Sequence, residues 1–233
     1  MTEFHYRFRF PDGNDKLFTV RLDGSTPATE SRRPDELPAW TRLEFHQCPN
    51  CPLRKEDSPH CPMAVSFARL VEVTGKYHSH DTVTVEVQTP QREFTKTTSL
   101  QSAVGSLMGL LSATSGCPRS RFLKPMAQFH LPFSTEKETI YRAASMYLLA
   151  QYLLDKNGGK PDWDLRVLHA HYDELQIVNA HVIKRVSASS ERDGPSNALV
   201  VLDSMAKLLQ FSIDEALSDM WPVFEPYRSE LAG

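Results

Sequence analysis

An α+β fold is predicted by three features of the sequence. Apolar residues alternate with polar ones at its start, they alternate again near residue 85, and from residue 99 they recur with helical spacing. At the start, Phe4, Tyr6, Phe8 and Phe10 fall on one side of an extended chain, with His5, Arg7 and Arg9 on the other. Pro11-Asp12-Gly13-Asn14 has the composition of a turn. Phe18, Val20 and Leu22 then resume the alternation, so residues 4–22 read as a β-hairpin. Val83, Val85 and Val87, a turn at Pro90-Gln91 and then Phe94 give a second hairpin. The two together predict a small, mostly antiparallel four-stranded sheet. Between them, Pro62 suits the first position of a helix, where a missing N–H costs nothing. That helix carries Val65, Ala68, Leu70 and Val71 and ends near Gly75.

The remainder reads as a helical half. Ser99 can cap a helix bearing Leu100, Val104, Leu107, Met108 and Leu111, with Gly116 at its end. Thr135 with Glu138 makes a capping box for a helix through Ile140, Ala144, Leu148 and Tyr152 to Asn157-Gly158-Gly159. Leu165, Leu168, Tyr172, Leu175, Asn179, Val182 and Val186 then form one stripe by steps of three and four. Ser196-Asn197, and Ser212 with Glu215, announce two further helices. The expected organisation is hairpins and a proline-rich loop over residues 1–98 and helices over residues 99–233, packed as one unit.

A chain of 233 residues can bury a core without staples. A net charge of −3 gives no broad electrostatic argument for nucleic acid. No apolar run approaches the roughly 18 residues of a membrane span, and the start lacks a basic then apolar leader. The chain is therefore read as cytoplasmic, without a membrane partner. Thiols stay reduced in that compartment, so its cysteines point to metal or redox chemistry before disulfides.

Four cysteines are present, at Cys48, Cys51, Cys61 and Cys117. The first three lie in a segment, residues 23–61, that holds six prolines. Proline fixes φ and removes a donor, so the segment is expected to be irregular and to need something that holds it. A two-residue gap lets both sulfurs of Cys48 and Cys51 face one ion. Four thiolates complete a closed tetrahedral site, the form structural zinc takes. Each cysteine is followed by proline (Pro49, Pro52, Pro62, Pro118), and Pro62 and Pro118 at helix starts would make Cys61 and Cys117 N-caps. Pro52 stands where zinc knuckles carry glycine, so the site departs from that pattern. Cysteine followed by proline also occurs among iron–sulfur ligands, which leaves a cluster as the alternative cofactor, and no metal as another. Cys-Pro-Asn-Cys has the spacing of a glutaredoxin-like redox motif, but Pro52 and Pro59 oppose the helix such a motif needs. His46 and His60 flank the cysteines as substitute ligands or hydrogen-bond donors to them. His78-Ser-His80 is a weaker metal-binding pattern.

In the helical half, polar residues stand among apolar ones: His130, Arg142, Gln151, His169, Glu174 and Gln176. Arg142 paired with Glu174, with Tyr172 and Asn179 as donors, could line a small-molecule pocket. Satisfied polar networks and solvated helix faces are the plainer alternative. No nucleophile elbow, Walker loop, dinucleotide fingerprint or His-Glu-x-x-His motif is present, so no catalytic residue is assigned.

Four strings, Leu43-Glu-Phe-His-Gln-Cys-Pro-Asn-Cys-Pro-Leu53, Thr114-Ser-Gly-Cys-Pro118, Phe129-His-Leu-Pro-Phe133 and Tyr141-Arg-Ala-Ala-Ser-Met-Tyr-Leu-Leu-Ala-Gln-Tyr152, together resemble an uncharacterised bacterial family of unknown function. The resemblance spans nearly the whole chain and implies a bacterial source. It implies no activity. The function expected is that of a binding or interaction protein stabilised by a four-cysteine zinc site, its partner a protein or small molecule. An iron–sulfur redox or sensory protein, and an enzyme with a pocket in the helical half, are the alternatives.

Overall fold

The computed structural model describes residues 3–23, 33–189, 191–211 and 217–231. Both hairpins form. Strands β1 (Glu3–Arg9) and β2 (Asp15–Arg21) pair antiparallel, as do β3 (Thr82–Gln88) and β4 (Glu93–Ser99). β1 and β3 join the hairpins, giving an antiparallel sheet of order β2-β1-β3-β4. Period two puts Phe4, Tyr6, Phe8, Phe18, Val20, Val83, Val85 and Val87 on the covered face, all of them buried.

β4 departs from that pattern. Its residues opposite Val85 and Val83 are Lys96 and Thr98, so the covered face turns polar at this edge.

Helix α1 (Pro62–Thr74) begins at Pro62 with Cys61 as N-cap and gives way at Gly75, as its sequence signals predict. Its buried side is Met63, Ala64, Phe67, Ala68, Leu70 and Val71, while Val65 is only half-buried. Helix α2 (Leu100–Thr114) follows β4 directly and packs on the sheet, with Leu100, Val104, Leu107 and Met108 fully enclosed. Ser99 takes the N-cap position, but its hydroxyl bonds Ser102 Oγ (3.0 Å) rather than a backbone amide. A 3-10 turn (Pro118–Leu123) and the short α3 (Lys124–Gln128) lead to α4 (Glu136–Lys156). Helices α5 (Arg166–Ser187) and α6 (Gly194–Phe211) pack together, and α6 also packs against α2.

The expected stripe of α5 is buried throughout: Leu168, Tyr172, Leu175, Asn179, Val182 and Val186. Leu165 is buried too, but as the residue before the helix, in a left-handed conformation with φ 58°. Asp162 does the capping, accepting the Val167 N–H (2.8 Å) and the Tyr147 hydroxyl (2.7 Å). The α4 stripe fades along its length, for Ile140 and Ala144 are buried but Tyr152 is 49% exposed. Helix α6 starts before Ser196-Asn197. The Asp193 carboxylate just ahead of it receives the Ser79 amide (2.9 Å) and hydroxyl (3.0 Å), tying it to the loop before β3. Ser212 and Glu215 lie outside the described residues. Among the described residues, no helix is long and apolar enough to cross a membrane.

The capping box at α4 is complete. Glu138 N–H reaches Thr135 Oγ1 (3.3 Å) and the Thr135 N–H reaches Glu138 Oε2 (2.7 Å). These bonds hold the Glu138 carboxyl below its usual range. Thr135→Ala should destabilise the protein by about 1 kcal/mol in urea unfolding, and Thr135→Ser by much less. Equal losses in the two variants would show that the methyl group, not the hydroxyl, matters.

Candidate functional site

The cysteine segment is organised by backbone bonds. Thr41–Leu43 and Pro59–Cys61 run antiparallel, with Leu43 N–H on Pro59 O (2.9 Å) and Cys61 N–H on Thr41 O (2.7 Å). This stem closes a loop that holds Cys48 and Cys51, whose turn is fixed by Cys51 N–H on Cys48 O (3.0 Å). Cys117 arrives from α2. Gly116, at φ +82°, makes the left-handed step that a side chain would resist, and a Cβ there would stand 3.9 Å from Pro62 Cβ. Cys117 thus lies beside the Cys61–Pro62 helix start, and it stands at the N-cap position before Pro118, where the sequence predicts a helix and the structure has a 3-10 turn.

All four thiols are free, with Cys48 and Cys61 buried and Cys51 and Cys117 half-buried. The Cys48 thiol is pushed up to about 12, first by burial, then by Cys61, Cys51 and Cys117, against the pull of the Arg185 guanidinium. Burial also raises Cys117. The N–H groups of Arg119 and Ser120 lower it in part, although neither approach amounts to a capping hydrogen bond to sulfur. The four-cysteine site expected from the sequence is not seen: among the described residues, no group of three or more His, Cys, Asp or Glu is arranged to hold a metal ion. The flanking histidines are engaged elsewhere or turned out. His60 Nδ1 bonds Thr41 Oγ1 (2.8 Å), and His46 is exposed, with its ring on Phe45.

Two residues that the sequence did not single out hold this loop to the helices. Arg185 of α5 is 1% exposed. Its Nη1 donates to the carbonyls of Trp40 (2.9 Å) and Arg42 (2.7 Å), and its Nη2 to that of Leu43 (2.7 Å). Its Nε is buried with no hydrogen-bond partner, and among the described residues no carboxylate pairs with it. Arg119 is the second. Its Nε donates to Asn50 O (2.7 Å), between Cys48 and Cys51, and lies 3.4 Å from Glu174 Oε2. Asn50 Nδ2 in turn donates to Glu174 O (3.0 Å) and Oε2 (2.6 Å). Glu174 therefore serves the cysteine loop and not Arg142, which corrects the pairing expected from sequence.

Arg142, Tyr172 and Asn179 do come together, around a cavity of about 380 Å³ beneath β4 and α2. Its space follows from small residues at helical steps on α2 (Ser102, Ser106, Gly109, Ala113), facing Lys96 and Thr98 of β4. Arg142 Nη2 donates to Met126 O (2.9 Å), while its Nε is buried and unpartnered. His130 Nε2, also on the wall, is hydrogen-bonded with the Tyr6 hydroxyl, which also bonds Ser106 Oγ (3.1 Å). Burial, then Arg142, pushes the His130 imidazole down to about 3. Burial raises the Tyr172 phenol, against the pull of Arg142. Gln151 instead accepts the Asp162 N–H (2.9 Å), and neither His169 nor Gln176 lines the cavity.

No curated protein and no solved structure matches the chain. A family model described as a domain of unknown function matches residues 4–225. The segment so matched contains the sheet, the stem-closed cysteine loop and the cavity, and the chain belongs to that family, DUF6901.

Proposed function

We propose that this is a binding or interaction protein whose proline-rich loop is fixed by a structural metal ion on Cys48, Cys51, Cys61 and Cys117, with zinc as the metal. The observation that carries this reading is Arg185: a fully buried guanidinium, with no carboxylate partner among the described residues, whose charge acts on the Cys48 thiol. A buried cation is costly unless a counter-charge sits near it. Four thiolates on one divalent ion leave a net negative charge of two, and a cation at their edge offsets it. The chemistry of the donors suits zinc, although their arrangement here is not a ligand shell: soft sulfur ligands, one at a helix start and one at a 3-10 turn start, with Arg119 bonded to the Cys48–Cys51 turn. Such an ion would supply cross-linking rather than catalysis, since four thiolates on zinc leave no open position.

The test is elemental analysis of the full chain purified without oxygen, with the Cys117→Ser variant beside it. One zinc per chain in the parent, lost in the variant together with protection of residues 33–61 from proteolysis, is the expected result. Iron with acid-labile sulfide and a brown colour would replace zinc by a cluster and turn the reading toward redox or sensing. A metal-free parent that takes up neither metal on reconstitution would overturn the reading.

A further inference from the structure

The cavity bounded by β4, α2, α3 and α5 is separate from the cysteine loop, and its chemistry points to a ligand. Its volume of about 380 Å³ falls in the range of small-molecule sites. Most of its wall is aliphatic, supplied by Leu110, Leu123, Met126, Leu131 and Leu175. The charged groups on that wall are of one sign. Lys96 and Arg142 line it, and among the described lining residues there is no aspartate or glutamate. His130, hydrogen-bonded with the Tyr6 hydroxyl, adds no negative charge. We propose that this cavity binds a medium-chain aliphatic carboxylate, its chain along the leucine wall and its carboxylate on the Arg142 guanidinium.

Arg142 has the free donor that such a ligand needs. One Nη is occupied by Met126 O, but the Nε–H is buried without a partner. Glu138, one helical turn back, acts on Arg142 through its charge, but its Oε2 accepts from the Thr135 amide and hydroxyl, and among the described residues it forms no ion pair with Arg142. An unmade bond to a buried charged donor is unfavourable, and a planar carboxylate satisfies a guanidinium edge with two short bonds. Asn179 lies on the same wall as a further donor, beside the Tyr172 hydroxyl, which donates to Met126 Sδ (3.9 Å). Exposed Lys96, with its Nζ 5.9 Å from the Phe133 ring centre, and exposed Thr135 mark the mouth, so an approaching anion meets positive charge first. An aliphatic chain fits better than a flat ring, because leucine, alanine and methionine side chains outnumber the rings of Phe133, Tyr172 and His130 on the wall.

The experiment is calorimetric titration of the full chain with decanoate and with 1-decanol, which share a chain and differ in the head group. Decanoate should bind at least tenfold more tightly, and Arg142→Gln should reduce the two affinities to within about twofold of each other. Ala113→Trp, which fills the cavity, should abolish binding of both. In case Arg142→Gln fails to fold, the Arg Nε–H resonance of the unaltered protein gives an independent reading. Decanoate, and not 1-decanol, should shift it. The proposal is overturned if decanoate does not bind, if 1-decanol binds equally well, or if the preference survives Arg142→Gln. Metal content does not enter these readings, so they succeed or fail apart from the cysteine site.

Discussion

Arg185→Met should cost more than about 3 kcal/mol of folding stability, and Arg185→Lys should cost less, though still substantially. The guanidinium bonds three carbonyls of one short stretch of main chain, those of Trp40, Arg42 and Leu43, from a helix more than 140 residues downstream. Methionine keeps much of the volume but takes the donor away from the Trp40 and Leu43 carbonyls, while Arg42 O keeps the Phe45 N–H (3.1 Å). Each such orphan costs about 1–3 kcal/mol. Lysine keeps the charge and reaches one or two of the carbonyls, but it lacks the planar fork that spans all three. The same pair of variants probes the proposed metal. If the cation offsets a negatively charged metal–thiolate group, Met should lower metal retention in a chelator competition and Lys should largely restore it. Urea unfolding and chelator titration of the two variants are the measurements. Stability within about 1 kcal/mol of the parent in the Met variant would remove Arg185 from any central role.

The burial of Arg185 is not legible in the sequence, and the reason is physical. It stands between Val182 and Val186, near the end of α5, where an arginine ordinarily faces solvent and complements the helix C-terminus. Nothing local says that it is buried. Its reason for burial is a set of carbonyls far upstream, and periodicity carries no information about partners at that separation. The hairpins are legible because each strand has one wet face in its pattern. The helix start at Pro62 and the box at Thr135–Glu138 are legible because capping chemistry is local. Gly116, the step that carries Cys117 to Pro62, reads in the sequence only as a helix end. Arg142, Tyr172 and Asn179 stand out by spacing as pocket residues and do line one cavity. The cavity has a second signal in the sequence. Lys96 and Thr98 occupy strand positions where the pattern calls for apolar residues, and small residues recur on one side of α2. Space and polarity at matching positions on a strand and the helix packed against it is a pattern that sequence contains.

Lowering the pH from 7.5 to 5.0 should destabilise the protein by about 1–2 kcal/mol more than it destabilises His130→Gln. His130 is held neutral in the folded state. Its imidazole is pushed down to about 3, first by burial and then by Arg142, and it is hydrogen-bonded with the Tyr6 hydroxyl. In the unfolded chain the same ring titrates near its ordinary value of about 6.5. Below that pH the unfolded state therefore binds a proton that the folded state refuses. The sign follows directly: the unfolded state holds more protons, so stability falls as pH falls through the window from about 6.5 toward 3, and nothing is lost above it. At most about 1.4 kcal/mol is lost per pH unit inside that window, and water reaching His130 through the cavity reduces the figure. The depressed carboxyls of Asp12, Glu138, Asp162 and Asp193 also lose their contributions on acidification. Those losses, and any loss of cysteine-bound metal, are common to both proteins and cancel in the comparison. Glutamine can still bond the Tyr6 hydroxyl and does not titrate, so it removes the proton while retaining the hydrogen bond. Urea unfolding at the two pH values supplies the numbers. Parallel losses in the two proteins would mean that folded His130 takes up its proton as readily as the unfolded chain does, with Tyr6 and Arg142 rearranged to admit it.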